Sequence, residues 1–362
     1  MKVVFFVGTL QAGGLERFVT RVSLKAKQEK QFIPVVVCLT KQTGIFLHEL
    51  QTANVEVYEA PKRWFRSPYR WWQLIRLIKK IKPDIIHSQV NFSMLQQFLV
   101  AWFGRARFTV TERNCYKRSG LALVRRRVQY RLLKIFGVVY SANSKRVASH
   151  LSVMFNEQVD TFPILHNGID VPEVTPVINF VTPVRIGYVA RMSLHKGHLF
   201  FLEVLEKLIH TRHLKCEAIF FGDGPDRMVI EKSIKEKKLE KFVTLTGVVP
   251  DLDKQLVTCD IVTLLSDFEG MPNVILEAMA LGKPVVATDV GNARELLAND
   301  AGFILEKKNI DDAVAVFEQL IQQPELRLSM GQIGRTRIKN EFSLTSTLSS
   351  LLNYYRTIVN IE

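Results

Sequence analysis

Short apolar runs alternate with helix-like patterns along the whole chain, and this alternation occurs in two successive sets. Continuous runs of Val, Ile, Leu and Phe are typical of strands buried in a parallel sheet. Strands that alternate with helices predict a doubly wound α/β sheet, so two such sets predict two domains of this class. The predicted strands cover residues 3–7, 33–39, 55–58, 85–87, 108–111 and 138–141, and then residues 185–189, 216–221, 242–245, 261–265, 285–288 and 302–304.

A proline-containing stretch without periodicity separates the two sets. Residues 171–183 read VPEVTPVINFVTP, which is typical of a linker. The chain has 362 residues, a length that suits two domains better than one core. We therefore predict an N-terminal domain over residues 1–172 and a C-terminal domain over residues 180–341, with a further helical pattern over residues 342–358.

The net charge of +14 is concentrated in the first half of the chain. Residues 1–172 carry 27 Lys and Arg against 10 Asp and Glu, a balance of +17, whereas the remainder carries 22 against 25. Residues 62–80 (KRWFRSPYRWWQLIRLIKK) and 121–135 (LALVRRRVQYRLLKI) mix these cations with aromatic or aliphatic residues. This mixture favours an anionic membrane surface over nucleic acid as the partner. The alternative is that both are surface helices whose aliphatic side packs on their own domain.

The chain contains no pattern typical of export or of membrane insertion. No apolar run reaches the roughly 18 residues that a membrane span needs, and the opening MKVVFFVGTL meets a glycine too early for a signal peptide. Its four cysteines lack any C-x-x-C pairing, which argues against a zinc site or a disulfide framework. We expect a cytoplasmic protein that is peripheral on the inner face of the plasma membrane.

Two glutamates, Glu269 and Glu277, lie where a loop turns into a helix, within residues 266–289 (SDFEGMPNVILEAMALGKPVVATD). The helix is predicted over residues 272–281, and its first-turn N–H groups and its dipole would attract a phosphate-like anion. A sugar nucleotide would fit this layout, because carboxylates accept hydrogen bonds from hydroxyls on either side of the anion. The alternative is an amphipathic helix with two solvated glutamates.

Two cations, Arg191 and Lys196, lie in a short loop (VARMSLHKG) after the first strand of the second set. Arg can bind two oxygens at once and Lys acts as a point charge, so the pair suits a diphosphate. The alternative is two exposed basic residues. The glycine turn that follows the next strand, residues 221–226 (FGDGPD), would either approach a base or ribose or simply turn the chain.

Polar residues also follow strands of the first set. Gly13 and Gly14 open the first helix and would let backbone N–H groups approach a phosphate, although an ordinary strand-to-helix turn is the alternative. His87, Glu112 and Arg113 lie at strand ends, where ligands of doubly wound sheets collect. A structural hydrogen-bonding role for His87 and a local ion pair between Glu112 and Arg113 remain open.

Taken together, these motifs resemble the retaining glycosyltransferases of family 4, which have the GT-B fold. The resemblance covers nearly the whole chain. The matching residues are Gly13-Gly14-Leu15-Glu16-Arg17, Asn167-Gly168-Ile169-Asp170, Arg191 and Lys196 in ARMSLHKG, Phe221-Gly222-Asp223-Gly224-Pro225, and the E-x7-E signature in EGMPNVILEAMALGKPVVAT.

The resemblance implies two Rossmann-like domains that face each other across a cleft. It places the nucleotide sugar mainly on the C-terminal domain and the acceptor on the N-terminal domain, with the C-terminal helix within residues 342–362 packing back on the first domain.

The resemblance also assigns roles to the donor-site residues. Arg191 and Lys196 would neutralise the donor diphosphate, Glu269 would hold the hydroxyls of the donor sugar, and Glu277 would hold the ribose. The backbone of the segment after Glu269 and the glycine pair of the first domain would contact sugar or phosphate. These backbone contacts would come from Gly270, Met271, Pro272 and Asn273, and from Gly13 and Gly14.

The acceptor side of the resemblance rests on His87, Glu112 and Arg113. His87 matches a histidine often found after the fourth strand, whereas Glu112 stands where many members have another histidine, so a histidine-based acceptor role does not carry over there. A similar Glu-Arg-Asn run occurs in relatives that build bacterial surface polysaccharides on polyprenyl diphosphate lipids.

The predicted activity is transfer of a hexose or N-acetylhexosamine, with retention, from a UDP-sugar to a lipid-linked glycan or another surface polysaccharide acceptor. No cofactor and no metal ion are expected, and the resemblance implies front-face attack without an enzymic nucleophile. A GT-B epimerase acting on a free sugar nucleotide and a non-catalytic membrane or glycan-binding protein are the alternatives.

Overall fold

The computed structural model describes residues 1–11, 14–39, 44–60, 68–89, 102, 106–113, 115, 119–173, 182–249, 251–269, 271–306 and 308–359. Contacts within the chain group it into two compact units. One unit comprises Met1–Gly168 and Leu344–Glu362, and the other comprises Ile169–Ser343. Each unit is built on a six-stranded sheet.

The first sheet is formed by β1 (Lys2–Val7), β2 (Ile33–Cys38), β3 (Glu56–Glu59), β4 (Ile85–Ser88), β5 (Arg107–Glu112) and β6 (Val139–Ala142). Its strand order is β3-β2-β1-β4-β5-β6, and all neighbouring strands are parallel. Successive residues of β1 contribute to different apolar clusters, because side chains alternate between the faces of a strand. Helices therefore cover both faces. They include α1 (Gly14–Gln28), α2 (Ile45–Thr52), α3 (Pro68–Ile81), α4 (Gly120–Ile135) and α5 (Lys145–Phe155).

The second sheet repeats this topology with β7 (Val184–Val189), β8 (Cys216–Phe221), β9 (Val243–Gly247), β10 (Ile261–Leu264), β11 (Val285–Thr288) and β12 (Gly302–Leu305). Its order is β12-β11-β10-β7-β8-β9, and again all neighbouring strands are parallel. Its helices include α6 (His198–Glu206), α7 (Arg227–Glu236), α8 (Leu252–Leu256), α9 (Asn273–Ala280), α10 (Ala293–Leu296), α11 (Ile310–Gln322) and α12 (Pro324–Arg337).

The C-terminal helix, α13 (Leu344–Val359), belongs to the first unit. Leu348, Leu351 and Tyr355 are buried in the apolar cluster that also holds one face of β1. The chain leaves the first unit after Gly168 and returns at Leu344, whereas the sequence pattern placed these changes at 172 and 342. The difference arises because Ile169 and Phe342 are both buried in an apolar cluster of the second unit, where the Ile169 N–H donates to Phe342 O (3.0 Å).

The predicted fold class is confirmed, since each predicted strand falls on an observed one and both sheets are parallel and doubly wound. For α3 the structure supports the alternative stated above, because Leu74, Ile78 and Ile81 are buried in the core of the first unit. Among the described helices, none has the length and apolar character needed to cross a membrane.

Candidate active site

Two loops leave the second sheet at the point where its strand order reverses. The chain runs from β7 outward through β8 and β9 and then returns to the other side of β7 with β10. Ligands of doubly wound sheets bind beyond the carboxyl ends of the strands at such a switch point. The loop after β7 carries Arg191 and Lys196, and the loop after β10 carries Glu269. The loops that carry the predicted catalytic residues are therefore neighbours.

Lys196 and Glu269 are in direct contact. Lys196 Nζ donates a hydrogen bond to Glu269 Oε1 at 2.7 Å, and Ser266 Oγ donates to the same oxygen at 2.8 Å. Both side chains of the ion pair are mostly buried. An ammonium group has three N–H donors, so Lys196 can hold Glu269 and contact phosphate oxygens at the same time. The second carboxylate oxygen of Glu269 is suited to accept hydrogen bonds from sugar hydroxyls.

Backbone contacts fix the position of the loop that carries Lys196. Tyr188 Oη donates to Lys196 O at 2.5 Å, and the Asp267 N–H donates to His195 O at 2.8 Å. The first bond ties the loop to β7, and the second ties it to the loop after β10. These two bonds fix the backbone from which the Lys196 side chain reaches Glu269.

The glycine turn after β8 packs against the same loop. The Met192 N–H donates to Asp223 O at 3.1 Å, and the Asp226 N–H donates to Met192 O at 3.1 Å. A Cβ atom at Gly224 would lie 2.2 Å from Met192 O. The absence of a side chain at Gly224 is therefore required for the two loops to pack closely. This packing role comes in addition to the two roles predicted for the turn, which are approach to a base or ribose and reversal of the chain.

Gly197 brings the loop after β7 against the end of β10. Its φ is +80°, and a Cβ atom there would lie 2.0 Å from Leu265 O. Both the left-handed backbone and the close approach favour glycine. Because Gly197 directly follows Lys196, its conformation also sets the position of that lysine.

Gly197→Ala should destabilise the second unit by about 2–4 kcal/mol, because left-handed strain and overpacking both act at this position. We expect this lower stability to appear as a lower midpoint of urea unfolding, monitored by circular dichroism. Gly247→Ala is the matched control, since Gly247 has a similar φ of +73° but a Cβ there would meet no described atom within 4 Å. Equal losses in the two variants would contradict the close approach at Gly197.

An aromatic stack joins the same two loops. The His195 and Phe268 rings are parallel, with centroids 4.7 Å apart and an interplanar angle of 9°. Phe268 is exposed, and Arg191 is exposed in the loop after β7. The guanidinium of Arg191 is thus accessible to an anion. Nothing in the sequence pattern singled out the stack or Ser266, since pairing between loops depends on which strands are neighbours.

Helix α9 begins directly after the loop that follows β10. Pro272 occupies its N-cap position and provides no side-chain acceptor there, so the helix begins at Asn273, one residue after the predicted start. Glu277 is buried on this helix, which contradicts the alternative of two solvated glutamates, and Met271 and Asn273 are half-buried. Gly270 lies outside the described residues.

The glycine pair of the first unit is described only in part. Gly14 is the exposed first residue of α1, whereas Gly13 lies outside the described residues. Contact of this pair with a diphosphate stays a prediction.

His87 lies inside the first unit within a buried polar network. The Gln89 amide nitrogen, a donor, lies 3.0 Å from His87 Nε2, so Nδ1 carries the proton and donates to Tyr355 Oη at 2.7 Å. Thr111 Oγ1 also contacts Nε2 at 2.6 Å. Burial, and secondarily the charge of Arg113, lowers the pKa of His87 to about 3, so the imidazole is neutral. These contacts favour the structural role of His87 over contact with an acceptor.

Arg113 extends the same network toward the end of β5. Its Nε and Nη2 donate to Gln89 Oε1 at 2.9 and 2.5 Å, and its Nη1 donates to Asn167 Oδ1 at 2.7 Å. Burial lowers the pKa of Arg113 to about 9. The guanidinium also lies over the ring of Phe18 in α1, 4.9 Å from its centroid. Gln89, a residue that the sequence pattern did not indicate, joins His87 and Arg113 through hydrogen bonds.

Glu112 pairs with Arg126 of α4 rather than with its neighbour Arg113. Arg126 Nη2 donates to Glu112 Oε1 at 2.6 Å, and both side chains are buried. The alternative of a local ion pair between Glu112 and Arg113 therefore does not hold, because successive side chains along extended backbone point in opposite directions. Arg127, which belongs to the basic cluster of residues 121–135, also turns inward and donates to Met154 O at 2.7 Å.

No group of three or more His, Cys, Asp and Glu side chains suited to hold a metal ion occurs in the part of the chain that the structure describes.

Two family models match this chain. The model for Glycosyltransferase Family 4 matches residues 12–173, and the model for Glycosyl transferases group 1 matches residues 175–337. These matches cover both units and include the loops described above. The chain therefore belongs to the family 4 glycosyltransferases of the GT-B fold.

Curated relatives and solved structures agree with this class. Identity is 29% over 228 residues to the poly(ribitol-phosphate) alpha-N-acetylglucosaminyltransferase of Staphylococcus aureus (strain COL), covering 62% of this chain and 44% of that protein. The chain is also 24% identical over 317 residues to the UDP-Gal:alpha-D-GlcNAc-diphosphoundecaprenol alpha-1,3-galactosyltransferase of Escherichia coli, and this match covers 79% of this chain and 78% of that protein. The Anabaena protein HepE, solved with UDP and glucose, superposes with a TM-score of 0.80 at 17% identity, covering 99% of this chain and 100% of that chain. This chain thus spans less than half the length of the first of these relatives.

Proposed function

We propose that this chain transfers a hexose or N-acetylhexosamine, with retention of configuration, from a UDP-sugar to a polyprenyl-diphosphate-linked glycan or another surface polysaccharide acceptor. The observation that carries the proposal is the contact between Lys196 and Glu269 at the switch point of the second sheet. It is supported by similarity to relatives whose names include a UDP-galactose donor and a diphosphoundecaprenol acceptor, or a poly(ribitol-phosphate) acceptor.

The proposed chemistry divides the donor between these residues. Lys196 and Arg191 stabilise the charge that develops on the leaving diphosphate, and Glu269 orients the sugar through its hydroxyls. The bond between the anomeric carbon and the phosphate oxygen breaks as the acceptor oxygen bonds to the same face of that carbon. The acceptor proton passes to the leaving phosphate, so no enzymic nucleophile is required.

The proposal includes independence from metal ions. Fixed cations and a helix N-terminus can supply the electrostatic stabilisation that divalent ions supply at other diphosphate sites. Arg191, Lys196 and the start of α9 are the groups in this chain that would do so. Transfer should proceed at the same rate in EDTA as in buffer with Mg²⁺.

A panel of nucleotide sugars tests the donor first. A ligand that binds only the folded protein raises its melting temperature, so the UDP-sugars should stabilise the chain more than GDP- or ADP-sugars do. The stabilising donor is then incubated with a polyprenyl-diphosphate-linked sugar, and the anomeric configuration of the product is read by NMR. An inverted product would overturn the retaining mechanism.

The same assay separates the two alternatives. Isomerised UDP-sugar in the absence of any acceptor would instead indicate an epimerase. A chain that binds glycan or vesicles but is not stabilised by any nucleotide would indicate a non-catalytic binding protein.

A further inference from the structure

Helix α4 leaves an apolar stripe uncovered on the first unit. Its exposed aliphatic side chains follow one another at intervals of three or four residues, which places them on one side of a helix about 24 Å long. The two ends of the stripe are the most exposed, at 88% for Leu121 and 76% for Ile135. The stripe consists of Leu121, Val124, Val128, Leu132 and Ile135.

The opposite side of α4 holds the helix on its own unit. Tyr130 and Leu133 are buried in the core, and Arg126 is paired with Glu112. Tyr130 also stacks on Phe155 of α5, with ring centroids 4.1 Å apart. The helix is therefore fully anchored without its stripe, and a continuous exposed apolar surface of this kind marks an interaction site.

Basic side chains border the stripe on both sides. Arg125 lies four residues after Leu121, and Arg131 lies four residues before Ile135, so each adjoins the stripe on the helix surface. Both arginines are exposed. An apolar stripe edged by arginines is the pattern of a helix that lies in the interface of an anionic membrane.

An aromatic pair extends the stripe at the C-terminal end of α4. Trp102 is 63% exposed and meets Phe136 edge to face, with ring centroids 6.3 Å apart and an interplanar angle of 87°. Phe136 is itself exposed and directly follows the last residue of the helix. Tryptophan is enriched where membrane hydrocarbon meets headgroups, which agrees with the pattern of the helix.

Charge decides between a bilayer and a second copy of this chain as the partner. In a two-fold contact the same patch faces itself, so Arg125 and Arg131 would meet the arginines of the other copy. Residues 1–172 carry a balance of +17, which adds to this repulsion. We infer that the stripe of α4, with Trp102 and Phe136, docks the enzyme on an anionic lipid bilayer. This inference rests on the proposed function in one respect, because it is the proposed function that places a lipid-linked acceptor at that surface.

Helix α3 is the rival surface within the same unit. Tyr69 and Trp72 are exposed and stacked, with ring centroids 6.1 Å apart, and Arg76 lies over the Trp72 ring. Leu74, Ile78 and Ile81 of α3, however, are buried in the core. This helix therefore offers one aromatic pair where α4 offers a complete stripe.

Sedimentation with vesicles tests the assignment. The full chain is mixed with vesicles of equal parts phosphatidylglycerol and phosphatidylcholine, or with phosphatidylcholine alone. Wild type should bind the first and not the second. The double variant Val124→Ser/Val128→Ser should bind the anionic vesicles roughly tenfold more weakly, because apolar insertion is lost. The double variant Arg125→Gln/Arg131→Gln should also bind them roughly tenfold more weakly or worse, and this loss should depend on the salt concentration. Trp72→Ser is the matched control and should bind as wild type does.

Several outcomes would overturn the assignment. The assignment fails if the wild-type protein does not bind anionic vesicles, or if both α4 variants bind them as tightly as the wild type does. It also fails if only Trp72→Ser loses binding. Light scattering that shows wild type as a dimer and the Val124/Val128 variant as a monomer would assign the stripe to a contact between copies. Stabilisation by UDP should be unchanged in all these variants, because the donor site lies in the second unit, so failure of docking is distinguishable from failure of the proposed transfer.

Discussion

Replacing Lys196 with alanine should lower kcat/KM for sugar transfer by about 10²- to 10³-fold while the protein stays folded. Its backbone is held at the carboxyl end of β7 by contacts of the loop with Tyr188 and Asp267, and its ammonium group is held by Glu269. A fixed cation stabilises charge on a leaving group without rearranging during the reaction, and this stabilisation is lost with the side chain. Initial rates with the donor identified by thermal stabilisation measure the effect.

Glu269→Ala and the double variant complete the test. The two side chains are in contact at 2.7 Å, so their effects should not be additive, and the double variant should lose less than the product of the single losses. Lys308→Ala is the matched control. Lys308 also pairs with a residue of the loop after β10, Asp267, at 2.6 Å, but it has no predicted role at the donor. Near-wild-type turnover in Lys196→Ala, or equal losses in Lys196→Ala and Lys308→Ala, would contradict the assignment.

The twelve strands in the described part of the chain could be predicted from the sequence because buried parallel strands are continuous apolar runs. The order of the strands could not be read from these runs, although it brings the loops after β7 and β10 together. The sequence pattern therefore indicated Lys196 and Glu269 as separate candidates for one ligand. Their direct contact, and the need for glycine at Gly197, follow only from the strand order.

The two basic helices show why amphipathic patterns are ambiguous. Both α3 and α4 have aliphatic residues at helical spacing, which is expected of a core-facing helix and of a membrane-facing helix alike. In α3 most of these residues pack in the core, whereas in α4 Tyr130 and Leu133 pack in the core and the stripe remains exposed. The side that faces the core depends on the neighbouring elements, which a single helix does not reveal.

Glu112→Ala should destabilise the first unit by about 3 kcal/mol, at the lower end of the cost of breaking a buried ion pair. The side chains of Glu112 and Arg126 are only 5% and 10% exposed, so truncation leaves a guanidinium in the interior without its carboxylate. The loss stays at the lower end because Arg126 also lies over the rings of Tyr140 and Phe155. Glu112→Gln should lose less, since its amide oxygen can still accept the hydrogen bond.

Tryptophan fluorescence during urea unfolding isolates this effect, because all four tryptophans of the chain lie within residues 1–172. The matched control is Glu157→Ala, which breaks the more exposed pair between Glu157 and Lys134 of the same helix and should cost less than about 1 kcal/mol. Glu112→Leu combined with Arg126→Met should regain most of the stability, since an apolar pair can replace a buried ion pair.

If Glu112 instead contacted the acceptor, Glu112→Ala would lower the rate of transfer at unchanged stability. The structure predicts the reverse, because the carboxylate is already engaged inside the unit by Arg126.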